Sequence, residues 1–141
     1  MMPVSRSNPL QIEPYLYFNG RCEEALTFYQ QALGARTVAL NRFGDNPDVP
    51  APLGAAHKIM HAEFRVGGAV VLASDGPCTG ATNFQGFSLA LTTRDGAEAE
   101  RMFGSLADGG SVHVPLGATP FAVGFGMVAD RFGVVWTITA R

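Results

Sequence analysis

The stretch His57-Lys58-Ile59-Met60-His61-Ala62-Glu63-Phe64-Arg65 holds the chain's densest set of groups able to do chemistry. Read as a strand, it puts Met60, Ala62 and Phe64 on one face and His57, Ile59, His61, Glu63 and Arg65 on the other. Imidazoles and a carboxylate at every second position are the ligand types that hold a divalent metal. The same residues equally describe a solvated face with ion pairs, or a histidine satisfied by a hydrogen bond. Other signals are thinner. Cys22 stands near a helix start, where a thiol can ionise and react, yet it also fits as a small apolar residue on the helix face. Gly124-Phe125-Gly126 has the beginning of a dinucleotide loop but opens no helix, so close backbone packing or a bulge is the better reading. Ser88 and Ser111 sit in strands without a nucleophile elbow. Tyr15, Tyr17, Phe43, Phe87, Phe121, Phe125 and Trp136 are core candidates, and a subset could line an apolar pocket.

The elements that position these residues form a repeated unit. An apolar run, a tight Gly-containing turn and a second apolar run occur at Phe64 to Ser74 and again at Gly126 to Ile138. Ahead of the first copy come a strand at Ile12 to Phe18, a helix at Arg21 to Leu33 stopped by Gly34, and a strand at Thr37 to Phe43. Ahead of the second come a strand at Phe84 to Thr92, a helix at Asp95 to Ala107, and a strand at Val112 to Leu116. Asp95 and Glu98 have capping-box spacing. The order is β-α-β-β-β twice, with the breaker-rich loop Gly44 to Ala56 inserted in the first copy. A flexible leader is expected over residues 1–11 and a single domain over 12–141. Module one spans 12–75, a linker 76–83, and module two 84–141. Two similar halves imply a cleft at their junction, a favoured place for small-molecule sites.

Composition sets the outer limits. The 141 residues are 47% hydrophobic and 16% charged, enough for a sizeable core. A net charge of -2 without Lys or Arg runs argues against nucleic acid or an anionic membrane as partner. No apolar run reaches membrane-spanning length and the start lacks a signal-peptide core, so a cytoplasmic protein is expected. Two cysteines, Cys22 and Cys78, make no disulfide framework.

Several segments together resemble one family. Glu13-Pro14-Tyr15-Leu16-Tyr17-Phe18-Asn19-Gly20, Glu24-Ala25-Leu26-Thr27-Phe28-Tyr29 and Leu33-Gly34-Ala35 are similar to the opening of PhnB-like proteins. Ile59 to Phe64, Ala73-Ser74-Asp75, Gly109-Gly110, Pro115-Leu116 and Gly126 to Trp136 continue the likeness in order. The resemblance places the chain in the glyoxalase/bleomycin-resistance/extradiol-dioxygenase superfamily, also called vicinal oxygen chelate. It implies an α+β fold of two β-α-β-β-β modules whose mixed sheets curl round a cleft, in a homodimer. Metal enzymes of that superfamily take His or Glu ligands from equivalent strands of both modules. By the resemblance those positions fall near Pro14 with Glu13 adjacent, near Leu72 or Ala73, near Phe87 or Ser88, and near Trp136 or Thr137. Glu13 apart, none of these is a His or Glu.

Two functions of different class follow. The first is a small-molecule binding protein of the glyoxalase/bleomycin-resistance type without the usual metal site and with no cofactor. Its cleft would use Tyr15, Tyr17, His61, Glu63, Phe87, Phe121, Phe125 and Trp136. The second is a divalent-metal lyase, isomerase or dioxygenase with a displaced site at His61 and Glu63, helped by His57 or Glu13. A dimerising domain with a vestigial cleft stands third. A methyltransferase would need a Gly-rich loop between a strand and a helix, and none is present.

Overall fold

Tyr29 and Asp130, far apart in sequence, meet at the centre of the molecule. In the computed structural model, which describes residues 9–78 and 80–141, the Asp130 carboxylate accepts from the Tyr29 hydroxyl at 2.5 Å and from Trp136 Nε1 at 2.9 Å. Its other oxygen accepts from the Phe132 and Val134 amides at 2.9 and 3.1 Å. Residues 1–8 of the expected leader lie outside the described residues; residues 9–11 take no regular structure.

Module one runs β1 (Tyr15–Tyr17), α1 (Cys22–Leu33), β2 (Arg36–Arg42), a 3-10 turn (Phe43–Asp45), β3 (Ile59–Val66) and β4 (Ala69–Ser74). Module two runs β5 (Leu89–Thr93), α2 (Gly96–Ala107), β6 (Ser111–Thr119), β7 (Ala122–Ala129) and β8 (Val135–Ala140). Each makes a four-stranded mixed sheet, in the orders β1-β4-β3-β2 and β5-β8-β7-β6. The first and last strands of each module pair in parallel. Both helices lie against the sheets and touch each other. No helix among the described residues is long and apolar enough to cross a membrane.

The helices form where the periodicity predicts. Cys22, Ala25, Leu26, Phe28, Tyr29, Ala32 and Leu33 make a buried stripe on α1. Gly34, at φ 68°, closes the helix by donating its backbone N–H to the Gln30 carbonyl. At the other end no neighbouring side chain caps α1; the buried Asp75 carboxylate, from beyond β4, accepts from the Cys22 amide at 2.8 Å and from the Ile59 amide at 2.7 Å. Helix α2 starts on Asp95, whose carboxylate accepts from the Glu98 amide at 2.8 Å. Glu98 reaches back to the Arg94 amide at 3.0 Å, one residue earlier than a standard capping box.

Four expected boundaries move, each for a local reason. β1 begins at Tyr15 rather than Ile12, because Pro14 has no N–H to continue the parallel ladder. β3 begins at Ile59 rather than His57: residues 55–58 turn, with the Lys58 amide on the Ala55 carbonyl, and Ile59 is buried. His57 therefore leaves the strand face assigned to it. β5 begins at Leu89 rather than Phe84, since Gly86 turns at φ 80°. β6 runs on to Thr119 and keeps Pro115 because it is an edge strand. At Gly126 a Cβ would come within 2.9 Å of the Leu116 Cα, so that glycine serves close strand packing, as expected.

Removing one donor from Asp130 leaves a buried acceptor short of a partner. Tyr29→Phe should lower the unfolding free energy by about 1–3 kcal/mol in urea. Asp130→Ala strands four donors at once and should cost about 3–5 kcal/mol. Loss below about 0.5 kcal/mol in both would show the contact to be incidental. A second check concerns acid. The Glu98 carboxyl is held down to about 2, chiefly by its side-chain bond to Arg94 and then by the Arg94 amide. Its folded value lies below its ordinary 4.5. The stabilisation is therefore present above about 4.5 and is lost as pH falls towards about 2. The stability gap between wild type and Glu98→Gln should be open at neutral pH and closed at the acid end.

Candidate functional site

Alternation along the strands gives each sheet one face against the helices and one open face. On the first sheet the buried members are Leu16, Ala62, Phe64, Val71 and Ala73. Their neighbours Tyr15, Tyr17, His61, Glu63, Arg65 and Leu72 point the other way. Register sets Tyr15 beside Leu72, Leu72 beside Glu63, and Asn41 beside His61. The Tyr15 hydroxyl reaches across β4 to His61 Nδ1 at 2.7 Å. The Tyr15 and Tyr17 rings stack, with centroids 4.9 Å apart. Partial burial raises the Tyr15 phenol above its ordinary range, helped by Tyr17.

Of the candidate metal donors, His61 and Glu63 share the open face of β3 and His57 does not. Glu63 is paired with Arg65 at 3.1 Å, an exposed ion pair of small energetic value. His57 lies off the strand, with its carbonyl accepting from Arg42 at 2.7 Å. Among the described residues, no three His, Cys, Asp or Glu side chains gather at metal-holding distance. At the positions the resemblance gives for the superfamily's ligands, Pro14 and Leu72 are apolar, Glu13 stands beside Pro14, and Ser88 and Thr137 hydrogen-bond each other at 2.8 Å. One carboxylate among aliphatic side chains and neutral hydroxyls is fewer donors than a bound divalent ion takes from protein.

The expected cleft aromatics divide among three places. Tyr15, Tyr17 and Phe87 line a cavity of about 370 Å³ together with Asn19, Pro77, Ala81, Asn83 and Phe84. Phe121 and Phe125 meet edge to face, centroids 5.4 Å apart, and Phe121 borders a shallower cavity of about 700 Å³ with Arg141 and Thr139. Trp136 is 3% exposed on the helix side of β8 and donates to Asp130, so it is a core residue and not part of the Tyr15 face. It also borders a small apolar cavity of about 150 Å³ between β4 and β5. Burial pushes the Cys22 thiol far above its ordinary range, which fits its apolar reading and not a reactive one.

Asn19 entered the sequence reading only as part of the family-like opening segment. It adopts φ 48°, and its Nδ2 donates to the Ala81 carbonyl at 3.0 Å. The pairing is invisible in sequence because Ala81 lies beyond β4. The left-handed conformation, which asparagine tolerates better than most residues, was the available hint in Asn19-Gly20. Phe84 was read as a strand residue; its T-shaped contact with Phe87, centroids 6.4 Å apart, builds the far wall.

With this geometry in place, the comparisons are consistent. A family model described as 3-demethylubiquinone-9 3-methyltransferase matches residues 10–139. Protein YjdN of Escherichia coli (strain K12) is 34% identical, covering 92% of this chain and 94% of its own. Among solved structures, protein PA1353 of Pseudomonas aeruginosa is 46% identical with a TM-score of 0.82, covering 94% of this chain and 98% of the other. The PhnB protein of Bacillus cereus is 29% identical with a TM-score of 0.78, covering 94% and 100%. At 21% identity and a TM-score of 0.60, a glyoxalase-related enzyme from Fulvimarina pelagi shares the fold, with 94% and 89% covered. The fold is thus that of the glyoxalase/bleomycin-resistance proteins.

The Tyr15–His61 bond should be visible in solution. In 15N spectra, Tyr15→Phe should shift the His61 Nδ1 resonance towards that of an imidazole without a partner. Tyr17→Phe should leave it in place. Equal shifts from both substitutions would show that the contact is not held.

Proposed function

We propose that this chain, which belongs to the family described as 3-demethylubiquinone-9 3-methyltransferase, is a small-molecule binding protein of the glyoxalase/bleomycin-resistance type, with its ligand in the cavity beside β1. The observation that carries the reading is the meeting of stacked Tyr15 and Tyr17 with Phe84 and Phe87 around about 370 Å³ of space. Tyr17 is 51% exposed there, an amphipathic ring with surface left for a ligand to cover. Concave, mostly apolar sites with a few fixed polar groups are the usual form of a ligand pocket. Asn19 and Asn83, which line the cavity, supply those polar groups.

The family's description names a methyl transfer, and two features speak against routing that chemistry through this chain's helix ends. Asp75 takes the first amide of α1, and Asp95 takes that of Glu98 at the start of α2. Neither strand-to-helix turn is left as a Gly-rich cradle for a cofactor's anionic groups. The divalent-metal reading keeps one supporting feature, His61 and Glu63 on a common face, and is separated from ours by the test below. The binding reading extends to a cytoplasmic homodimer. Phe121 and Val123, at 72% and 66% exposure, are apolar surface on the second module's open side that a second copy would cover.

The test is ligand-observed NMR with a set of one- and two-ring aromatic fragments, followed by metal analysis of the same preparation. Fragments should bind in fast exchange, and Tyr17→Ala should weaken them about tenfold. Phe121→Ala should leave them unchanged. Metal content should be well below one ion per chain. Stoichiometric metal that disappears in His61→Ala would establish the metal reading instead. Fragments insensitive to Tyr17 would remove the ligand from this cavity.

A further inference from the structure

We infer that the cavity beside β1 takes a neutral planar aromatic of one or two rings bearing an N–H or O–H group, and that Asn19 Oδ1 accepts the hydrogen bond from that group. The inference rests on the binding reading above and adds to it the ligand's chemical class.

The argument starts from an unpaired atom. Asn19 Oδ1 is buried and, among the described residues, has no hydrogen-bond partner. It is the kind of exception that calls for a reason, since buried polar side-chain atoms in folded proteins are overwhelmingly paired. The amide cannot simply turn away, because its Nδ2 is committed to the Ala81 carbonyl at 3.0 Å. Turning the group over would set two carbonyl oxygens against each other. The orientation that leaves Oδ1 as the acceptor is therefore fixed by the linker. Asn19 also lines the cavity whose other walls are Tyr15, Tyr17, Phe84 and Phe87. An acceptor without a donor, on a residue that lines an aromatic slot, asks for a ligand that carries a donor in its ring plane.

Charge and size narrow the class. Among its lining residues the cavity has no Asp, Glu, Lys, Arg or His. The Lys58 ammonium donates instead to the Gly20 carbonyl at 2.7 Å. A charged ligand would lose its hydration there without gaining a counter-ion, so a neutral one is favoured. The space, about 370 Å³, is near the small end for ligand pockets and suits one or two fused rings. Stacked Tyr15 and Tyr17 present a flat wall, and Phe87 with Phe84 an angled one. The larger cavity at Phe121 offers no comparable feature among the described residues: its hydroxyl neighbour Thr119 bonds the Ala122 amide at 3.1 Å.

A matched pair of probes separates this inference from the reading beneath it. Indole carries a ring N–H; benzofuran has the same shape and lacks that donor. Both are titrated into the full chain, wild type and Asn19→Gly, with binding followed by protein NMR. Glycine suits the positive φ of this position, so the variant removes the side chain without backbone strain. Wild type should bind indole about tenfold more tightly than benzofuran, and Asn19→Gly should bind the two alike. The Asn19 side-chain amide signals should move with indole alone. If wild type binds both equally while Tyr17 and Phe87 signals move, the donor inference is overturned and the binding reading stands. If the indole preference survives in Asn19→Gly, another group reads the donor and the inference is again overturned. If neither probe moves Tyr17 or Phe87 signals, both fall together.

Discussion

The carboxylate of Asp130 is where the two halves of this molecule are tied. It sits in the turn between β7 and β8 and gathers the Tyr29 hydroxyl from module one and the Trp136 indole from module two. A buried carboxylate is tolerable only when its oxygens are fully occupied, and here four donors occupy them. Tyr29 in turn stacks on Phe64, the inward residue of β3, with centroids 5.5 Å apart. The position of the first sheet relative to the second thus follows from a tyrosine held at both ends. Burial and the neighbouring Asp130 charge raise the Tyr29 phenol far above its ordinary range, so it stays a donor. Asp75 does a similar job within module one, fastening α1 to the β3 entrance. Because β1 pairs with β4 immediately before Asp75, this second carboxylate also fixes where Tyr15 and Tyr17 stand.

Much of this was legible in the residues. The helices followed from apolar spacing and from Gly34, and the two hairpins from their paired apolar runs. The β-α-β-β-β duplication came with them. What local pattern could not supply was any bond whose partner lies far along the chain. Nothing local marks Asp130 within the Gly126 to Ile138 hairpin, because its partner Tyr29 is a module away. Nothing local marks Asp75 either, because it bonds the Cys22 amide of α1. The side taken by Trp136, by contrast, was available in the sequence. Along Val135-Trp136-Thr137-Ile138-Thr139-Ala140 the tryptophan alternates with two threonines and falls on the side of Ile138. That alternation argues for the core, and the structure puts Trp136 there. His57 was misassigned by extending a period-two pattern through residues that turn.

The chemistry of the open faces departs from what the fold is best known for. Where metal ligands would stand, the chain places Leu72 and the Ser88–Thr137 hydroxyl pair. His61 and Glu63, the groups best suited to a metal, are each engaged with a different neighbour, Tyr15 and Arg65. What remains is an aromatic slot without charge and with one unpaired acceptor, features that favour recognition of a small flat molecule by shape and a single hydrogen bond. The family's description and the geometry of this chain therefore point to different chemistries, and the geometry gives the more specific expectation.

The most direct measurement is a crystal structure of the protein soaked with indole. The account predicts a ring lying between Tyr17 and Phe87, its nitrogen about 3 Å from Asn19 Oδ1. Density for the ring at Phe121 with the β1 cavity empty would contradict it, as would a metal ion held by His61.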